Sequence, residues 1–351
     1  MSVMNVRRLI PTTAVAGVVT LGLVTLSACG GASGASDKSA EGKLSVVASF
    51  YPMQYLAEQI GGDHVSVETL TAPGVEPHDL ELKPRQIGEL GEADYILYLK
   101  GIQPAVDEAI KQAGVKNTVD AATLTTMEDH GTEVGHDHGA ENHGTEDPGH
   151  GEAGHEHGAE EQGAGEHGAD EHGHESEAGL DPHIWLDPVK YAEVAKGVGA
   201  SLEKADPDNA ADYKKNTDAL VKKLGDLDTA FKSGLKNTTT KTFITTHSAF
   251  GYLAERYGLD QEGITGLDPE SEPSPARMKE LQEIAAKDKV STVFFETLAS
   301  DRTAKTLAKD TGLKTDVLDP LEGITDRSKG DDYIEVMQSN LTALKKALGA
   351  K

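Results

Sequence analysis

Short apolar runs and amphipathic segments alternate twice along this chain, once on each side of a long stretch with almost nothing to bury. In the first series Leu44–Phe50, Val65–Leu70 and Tyr95–Leu99 read as strands. Met53–Ile60, Pro84–Gly91 and Val106–Ala113 read as helices between them. The second series sets strands at Thr242–Thr246, Val290–Phe295 and Thr315–Leu318 among helices at Ala249–Tyr257, Ser274–Asp288, Arg302–Thr311 and Tyr333–Leu348. Strands that alternate with helices predict an α/β fold, with mainly parallel sheets flanked by helices.

Between the two series the helical period takes over. Asp187–Leu202 reads as a helix. Asp206-Pro207-Asp208 then breaks the chain and starts another, in which Tyr213, Asn216, Leu220, Leu224, Leu227 and Phe231 recur every three or four residues. Lys214, Lys215, Lys222 and Lys223 fall mostly outside that stripe, as on an amphipathic helix. A helix over 207–234 would be about 40 Å long at 1.5 Å per residue, which suits a strut between two lobes.

The stretch without a core is compositionally separate. No Lys or Arg occurs between Lys116 and Lys190. Residues 128–177 hold 10 of the 14 histidines, 16 Asp or Glu and 12 glycines, and Val134 is their only large aliphatic side chain. Nothing there can offset the entropy of ordering, so a disordered insertion is expected. The formal charge of −26 argues against nucleic-acid binding, which needs a basic face; a cation is the natural partner. Histidine clusters such as His136-Asp-His138, His155-Glu-His157 and His172-Gly-His174 would take metal weakly and in multiples, together with His130, His143, His150 and His167. Only neutral imidazole binds metal, so this affinity should grow as pH passes about 6.5.

The N-terminus reads as a targeting segment. Arg7 and Arg8 precede an apolar run from Thr12 to Leu26, which ends in Leu26-Ser27-Ala28-Cys29. The run is too short to span a bilayer, and the pattern resembles a bacterial lipobox with cleavage before Cys29 and lipid on its sulfur. The alternative is a secretory peptide with an incidental cysteine. Cys29 is the only cysteine. Its lipidation would leave the folded part without disulfides, thiolate ligands or a cysteine nucleophile.

Four histidines lie outside the insertion: His64, His78, His183 and His247. Three sit in loops beside predicted strands or helices. His78 falls in Pro73-Gly-Val-Glu-Pro-His, His183 in Asp181-Pro-His-Ile-Trp-Leu-Asp-Pro188, and His247 directly after the strand Thr242–Thr246. Ligands of open α/β sheets collect beyond the carboxyl ends of strands, so these three are candidates for one metal site; each taken singly reads rather as a helix cap or a loop hydrogen bonder. His64 precedes a strand and reads as an exposed end residue. A carboxylate is the expected fourth donor. Asp319 in Leu318-Asp-Pro-Leu-Glu322 is the first candidate, although an Asp-Pro pair also makes turns. Glu296, after Val293-Phe-Phe, is a rival that would instead cap a helix or orient a ligand.

The runs Pro77-His-Asp-Leu-Glu-Leu-Lys-Pro84, Asp181-Pro-His-Ile-Trp-Leu-Asp-Pro188, Thr246-His-Ser-Ala-Phe-Gly-Tyr-Leu253 and Leu318-Asp-Pro-Leu321 occur in the order seen in the solute-binding receptors of bacterial zinc and manganese ABC importers, the cluster A-I metal receptors. The acidic, histidine-rich insertion resembles the zinc branch. The likeness extends over residues 43–349. It implies two α/β lobes joined by one long rigid helix, with the metal in the cleft between them, and maps the ligands onto His78, His183, His247 and Asp319. Pro77 stands where some zinc members carry Glu, and the disulfide of some members is impossible here. Manganese receptors usually carry a carboxylate at the position of His247. Three imidazoles and one carboxylate suit tetrahedral Zn²⁺ better than Mn²⁺, which prefers more oxygen ligands.

The organisation expected is then a signal peptide at 1–28, a lipidated tether at 29–42, an N-terminal lobe at 43–206 with the insertion at 128–178, a linking helix at 207–235 and a C-terminal lobe at 236–351. The expected role is a monomeric, extracytoplasmic receptor, lipid-anchored to the cell membrane or periplasmic, that delivers Zn²⁺ to an importer's membrane permease. A surface zinc buffer or adhesin is the alternative outside transport. A zinc hydrolase would need an open fourth position, which a carboxylate ligand would fill. The two halves are expected to meet only through the linking helix and a polar cleft, with zinc as their crosslink.

Overall fold

The computed structural model describes residues 42–130 and 180–351. The expected signal peptide, almost all of the tether and the insertion from residue 131 to 178 lie outside the described residues. Strand β1 (Leu44–Ala48) reads Leu-Ser-Val-Val-Ala and is buried along nearly its whole length, as a central parallel strand must be. It pairs in parallel with β2 (Val65–Thr69), Leu44 facing Val65, and on its other side with β3 (Tyr95–Tyr98), Val46 facing Tyr95. A fourth strand, β4 (Thr118–Asp120), completes the order β2-β1-β3-β4. The crossovers are α1 (Tyr51–Gly61), α2 (Pro84–Glu92) and α3 (Pro104–Ala113). Each has proline in its first turn, where the missing N–H costs no hydrogen bond.

Helix α4 (Pro188–Ala205) is capped by Asp187, whose side chain accepts from the Val189 N–H. A 3₁₀ turn at Pro207–Asn209 then leads into α5 (Ala210–Leu235). Its 26 residues extend about 39 Å at 1.5 Å per residue. The stripe from Tyr213 to Phe231 is buried, save Asn216, which is partly buried and bonds the Ile60 carbonyl. This helix packs on α4 and α1, and on α9 (Tyr333–Ala347) at the chain's end.

The second series repeats the first topology. Strands β5 (Thr242–Thr245), β6 (Asp260–Gly263), β7 (Thr292–Phe295) and β8 (Lys314–Val317) form a parallel sheet in the order β6-β5-β7-β8. It is flanked by α6 (Gly251–Tyr257), α7 (Pro275–Lys287) and α8 (Arg302–Thr311). The sequence did not announce β4 or β6. One has only three residues and the other reads Asp-Gln-Glu-Gly. Both are edge strands, held by backbone pairing on one side rather than by burial of an apolar face. Among the described residues no helix is long and apolar enough to cross a membrane.

The core corrects one expectation. Ile96, Leu90 and Val106 fill the outer side of the first sheet, and Ile244, Leu281 and Leu307 that of the second. A third cluster runs continuously from Val46 and Phe50 through α4, α5 and α9 to Phe243 and Phe294. The halves therefore share an apolar core rather than meeting through a strut and a polar cleft alone. Trp185 stands edge-on to Phe50, ring centroids 5.1 Å apart, and its Nε1 donates to the Pro320 carbonyl at 2.7 Å. Tyr333 of α9 packs tilted against Tyr191, ring centroids 4.7 Å apart, and donates its hydroxyl to the Trp185 carbonyl.

Candidate metal centre

In each sheet the crossovers leave the central pair, β1/β3 or β5/β7, in opposite directions, and ligands of such sheets bind beyond the strand ends at that point. His78 lies in the loop after β2 and His183 on the segment leading into α4. His247 follows β5, Glu296 follows β7, and the loop after β8 carries Asp319 and Glu322. The structure brings His78, His183 and His247 together: ring centroids are 5.5 Å apart for His78–His183 and His183–His247, and 6.2 Å for His78–His247. Their Nε2 atoms surround Glu322 Oε1, at 3.4 Å from His78, 3.3 Å from His183 and 3.4 Å from His247.

The acid that the fold sets among the three rings is thus Glu322, where Asp319 was expected. Asp319 is buried, but its carboxylate is used within its own lobe. It accepts from the Leu321 N–H at 2.9 Å, Ser328 Oγ at 2.9 Å and Thr297 Oγ1 at 3.2 Å. Asn340 clamps its backbone on both sides, accepting from its N–H and donating to its carbonyl. The turn passes through Leu321 at φ 60°, a conformation that costs a branched residue energy and persists only where its surroundings enforce it. The turn delivers Glu322 to the cleft. The Asp-Pro pair forms a turn here, and the carboxylate that faces the histidines lies three residues on.

Two carboxylates aim the inner histidines. Asp181 Oδ1 accepts from His183 Nδ1 at 2.7 Å and from the His183 N–H at 2.9 Å. Glu296 Oε1 accepts from His247 Nδ1 at 2.8 Å and also contacts Thr246 Oγ1. Glu296, the rival for the fourth position, thus bonds the His247 ring on the side away from the centre. With Nδ1 committed to a carboxylate, each ring turns its Nε2 to the centre, where the neutral form would offer a lone pair. His183 Nε2 and His247 Nε2, like Glu322 Oε2, are buried without a hydrogen-bond partner.

The electrostatics match this arrangement. Burial disfavours the charged form of His183, but the hydrogen bond and charge of Asp181, then Glu322, outweigh it and raise its pKa. His247 is raised well above the usual range in the same way, by Glu296 and Glu322 against its burial. Glu322 is held well below the carboxylate range because the three histidines outweigh its burial. Glu76, two residues before His78, is pushed up to about 7 by burial and then by the charge of Glu322. His78 is the most accessible of the four, its side chain 13% exposed against 0–1% for the others, which places the entrance to the cleft at the His78 loop.

His64 stays outside the group, bonded to Asp212 at 2.9 Å on the surface. Of the insertion's histidines only His130 is among the described residues, and it is held in place: Nδ1 is 2.9 Å from Asp181 Oδ2, and Nε2 is 2.9 Å from Glu255 Oε2. Disorder was expected from residue 128, yet Glu128–His130 are held against α6. His136, His138, His143, His150, His155, His157, His167, His172 and His174, with Cys29, lie outside the described residues.

Residues 46–347 match the model of the family described as ZnuA, zinc-uptake complex component A, periplasmic. The zinc-binding lipoprotein AdcA of Streptococcus pneumoniae is 36% identical over 317 residues, 88% of this chain; the chain spans 57% of that relative's length. The high-affinity zinc uptake system protein ZnuA of Bacillus subtilis is 36% identical over 342 residues, 95% of this chain and 97% of that protein. The crystal structure of the Zn(II)-bound ZnuA-like domain of S. pneumoniae AdcA superposes with a TM-score of 0.66 at 32% identity, covering 88% of this chain and 99% of that one.

Proposed function

Because this chain belongs to the ZnuA family, we propose that it is an extracytoplasmic receptor that captures one Zn²⁺ between its lobes and passes it to the permease of an ABC importer. The observation that carries this is the spacing of the four donors. Ligands at about 2.0–2.1 Å from a tetrahedral Zn²⁺ are about 3.3–3.4 Å from one another, and the three Nε2 atoms lie 3.3–3.4 Å from Glu322 Oε1. His78, His183, His247 and Glu322 would be the ligands, with Asp181 and Glu296 fixing two of the rings. Three neutral imidazoles and one carboxylate leave the bound ion a net charge of about +1 and favour Zn²⁺ over Mn²⁺. With Glu322 as fourth donor no position remains for a nucleophilic water, so the site suits capture and release rather than hydrolysis.

Cys29 would carry the lipid that keeps the receptor at the outer face of the membrane, and the histidines of residues 131–179 would gather zinc loosely around it. Metal analysis and chelator competition on the purified chain test the reading. One tight zinc equivalent is expected, lost in His78→Ala, His183→Ala, His247→Ala and Glu322→Gln. Deletion of residues 131–179 should remove only a weaker, pH-sensitive phase. Absence of a tight equivalent, tighter binding of Mn²⁺ than of Zn²⁺, or indifference to these substitutions overturns it.

A further inference from the structure

Asp181 serves two histidines. Oδ1 orients His183 toward the cleft, while Oδ2, on the other side of the same buried carboxylate, accepts from His130 Nδ1 at 2.9 Å. His130 thereby presents Nε2 away from Asp181, as His183 does, and Nε2 again meets carboxylates: Glu255 Oε2 at 2.9 Å and Glu128 Oε2 at 3.8 Å. The remaining Glu128 oxygen is held by Lys190 Nζ at 2.5 Å, which turns the other toward the imidazole and Glu255. The ring lies edge-on to Tyr252 with centroids 4.3 Å apart, and the Tyr252 hydroxyl accepts from the Glu128 N–H at 2.8 Å. A methyl group at Gly251 would lie 2.5 Å from His130 Cβ, so the glycine is what lets the imidazole approach α6 so closely. Donor atoms of Glu128, His130 and Glu255 all lie within 4.8 Å of one another.

We propose that Glu128, His130 and Glu255 form a second divalent-cation site, where the segment before the insertion meets α6. One imidazole and two carboxylates, with water completing the shell, suit Zn²⁺. A carboxylate behind the imidazole fixes the tautomer that binds metal. The site stands at the root of the histidine-rich insertion and is joined to the deep centre by a single side chain, Asp181. A zinc ion held here sits one carboxylate away from His183, at a point between the insertion and the cleft. The proposal rests on the zinc reading of the deep centre only through that shared residue.

Crystals of the full chain grown with saturating Zn²⁺, measured at the zinc absorption edge, test it. Two anomalous peaks are expected, one among His78, His183, His247 and Glu322 and one between His130 Nε2 and the two glutamates. Glu255→Gln changes an exposed side chain outside the deep centre. It should abolish the second peak, remove one weak equivalent in solution and leave the tight equivalent intact; Glu128→Gln should do the same. A cleft peak alone at saturating zinc overturns this proposal and spares the receptor reading. A peak at His130 without one in the cleft overturns the receptor reading instead.

Discussion

At the scale of single residues, Asp319 and Glu322 differ in where their carboxylates go: one is bound within its own turn, the other faces the three histidines. Glu322→Gln removes the only charge among the four donors and should weaken zinc by more than a hundredfold in chelator competition. Glu296→Gln leaves all four donors but loosens the ring of His247, and orienting partners of this kind are worth about 10–100-fold in affinity. Asp319→Asn keeps an acceptor but loses charge-assisted bonds to Leu321, Ser328 and Thr297. It should cost about 1–3 kcal/mol of stability, read by urea unfolding, with a smaller zinc effect than Glu322→Gln. An Asp319 variant as defective in zinc as Glu322→Gln, at unchanged stability, would contradict the assignment.

At the scale of elements, the segment His183–Leu186 does two things at once. It presents an imidazole to the cleft and sends Trp185 into the shared core, where the indole N–H meets the Pro320 carbonyl two residues before Glu322. Trp185→Phe keeps most of the packing but leaves that carbonyl buried without its donor, a loss of about 1–3 kcal/mol. Urea denaturation of the metal-free protein should show a lower midpoint at unchanged slope. If the midpoint does not move, the indole hydrogen bond contributes nothing to joining the loops.

At the scale of the whole molecule, zinc and protons compete for the same atoms. The raised pKa values of His183 and His247 mean that protons occupy these rings above the usual imidazole range, so zinc affinity should keep rising as pH increases beyond about 6.5. The sign for the metal-free fold is opposite. Groups whose pKa is raised on folding contribute stability that is fully present below about 6.5 and lost as pH rises through their folded values. Glu322, lowered on folding, contributes above about 4.5, and that contribution is lost as pH falls through its folded value. Titrations and melts across pH 5–9 should show zinc affinity and metal-free stability moving in opposite directions above neutrality. Saturating zinc should add about 4 kcal/mol at a thousandfold excess over Kd, as a higher Tm that His247→Ala largely removes. Because the halves already share a core, the accompanying change should be an ordering of the cleft loops, visible as slower amide exchange around His78 and Glu322, without a wide hinge motion.

Periodicity alone determined the two α/β series and the long helix between them, because strand and helix patterns are local and each buried face is written in consecutive residues. Three histidines were legible for a related reason: each sits in a loop beside a predicted strand or helix, where parallel sheets gather their ligands. Edge strands β4 and β6 were not legible, since a short strand held by backbone pairing on one side leaves no mark in side-chain pattern. The choice between Asp319 and Glu322 was also beyond the sequence. Both carboxylates lie in one short run, and only the Asn340 clamp, the Leu321 turn and the partners of Asp319 decide which of them points at the histidines. The same holds for Asp181, whose two oxygens reach His183 and His130, residues brought to either side of it only when the chain folds back across the insertion.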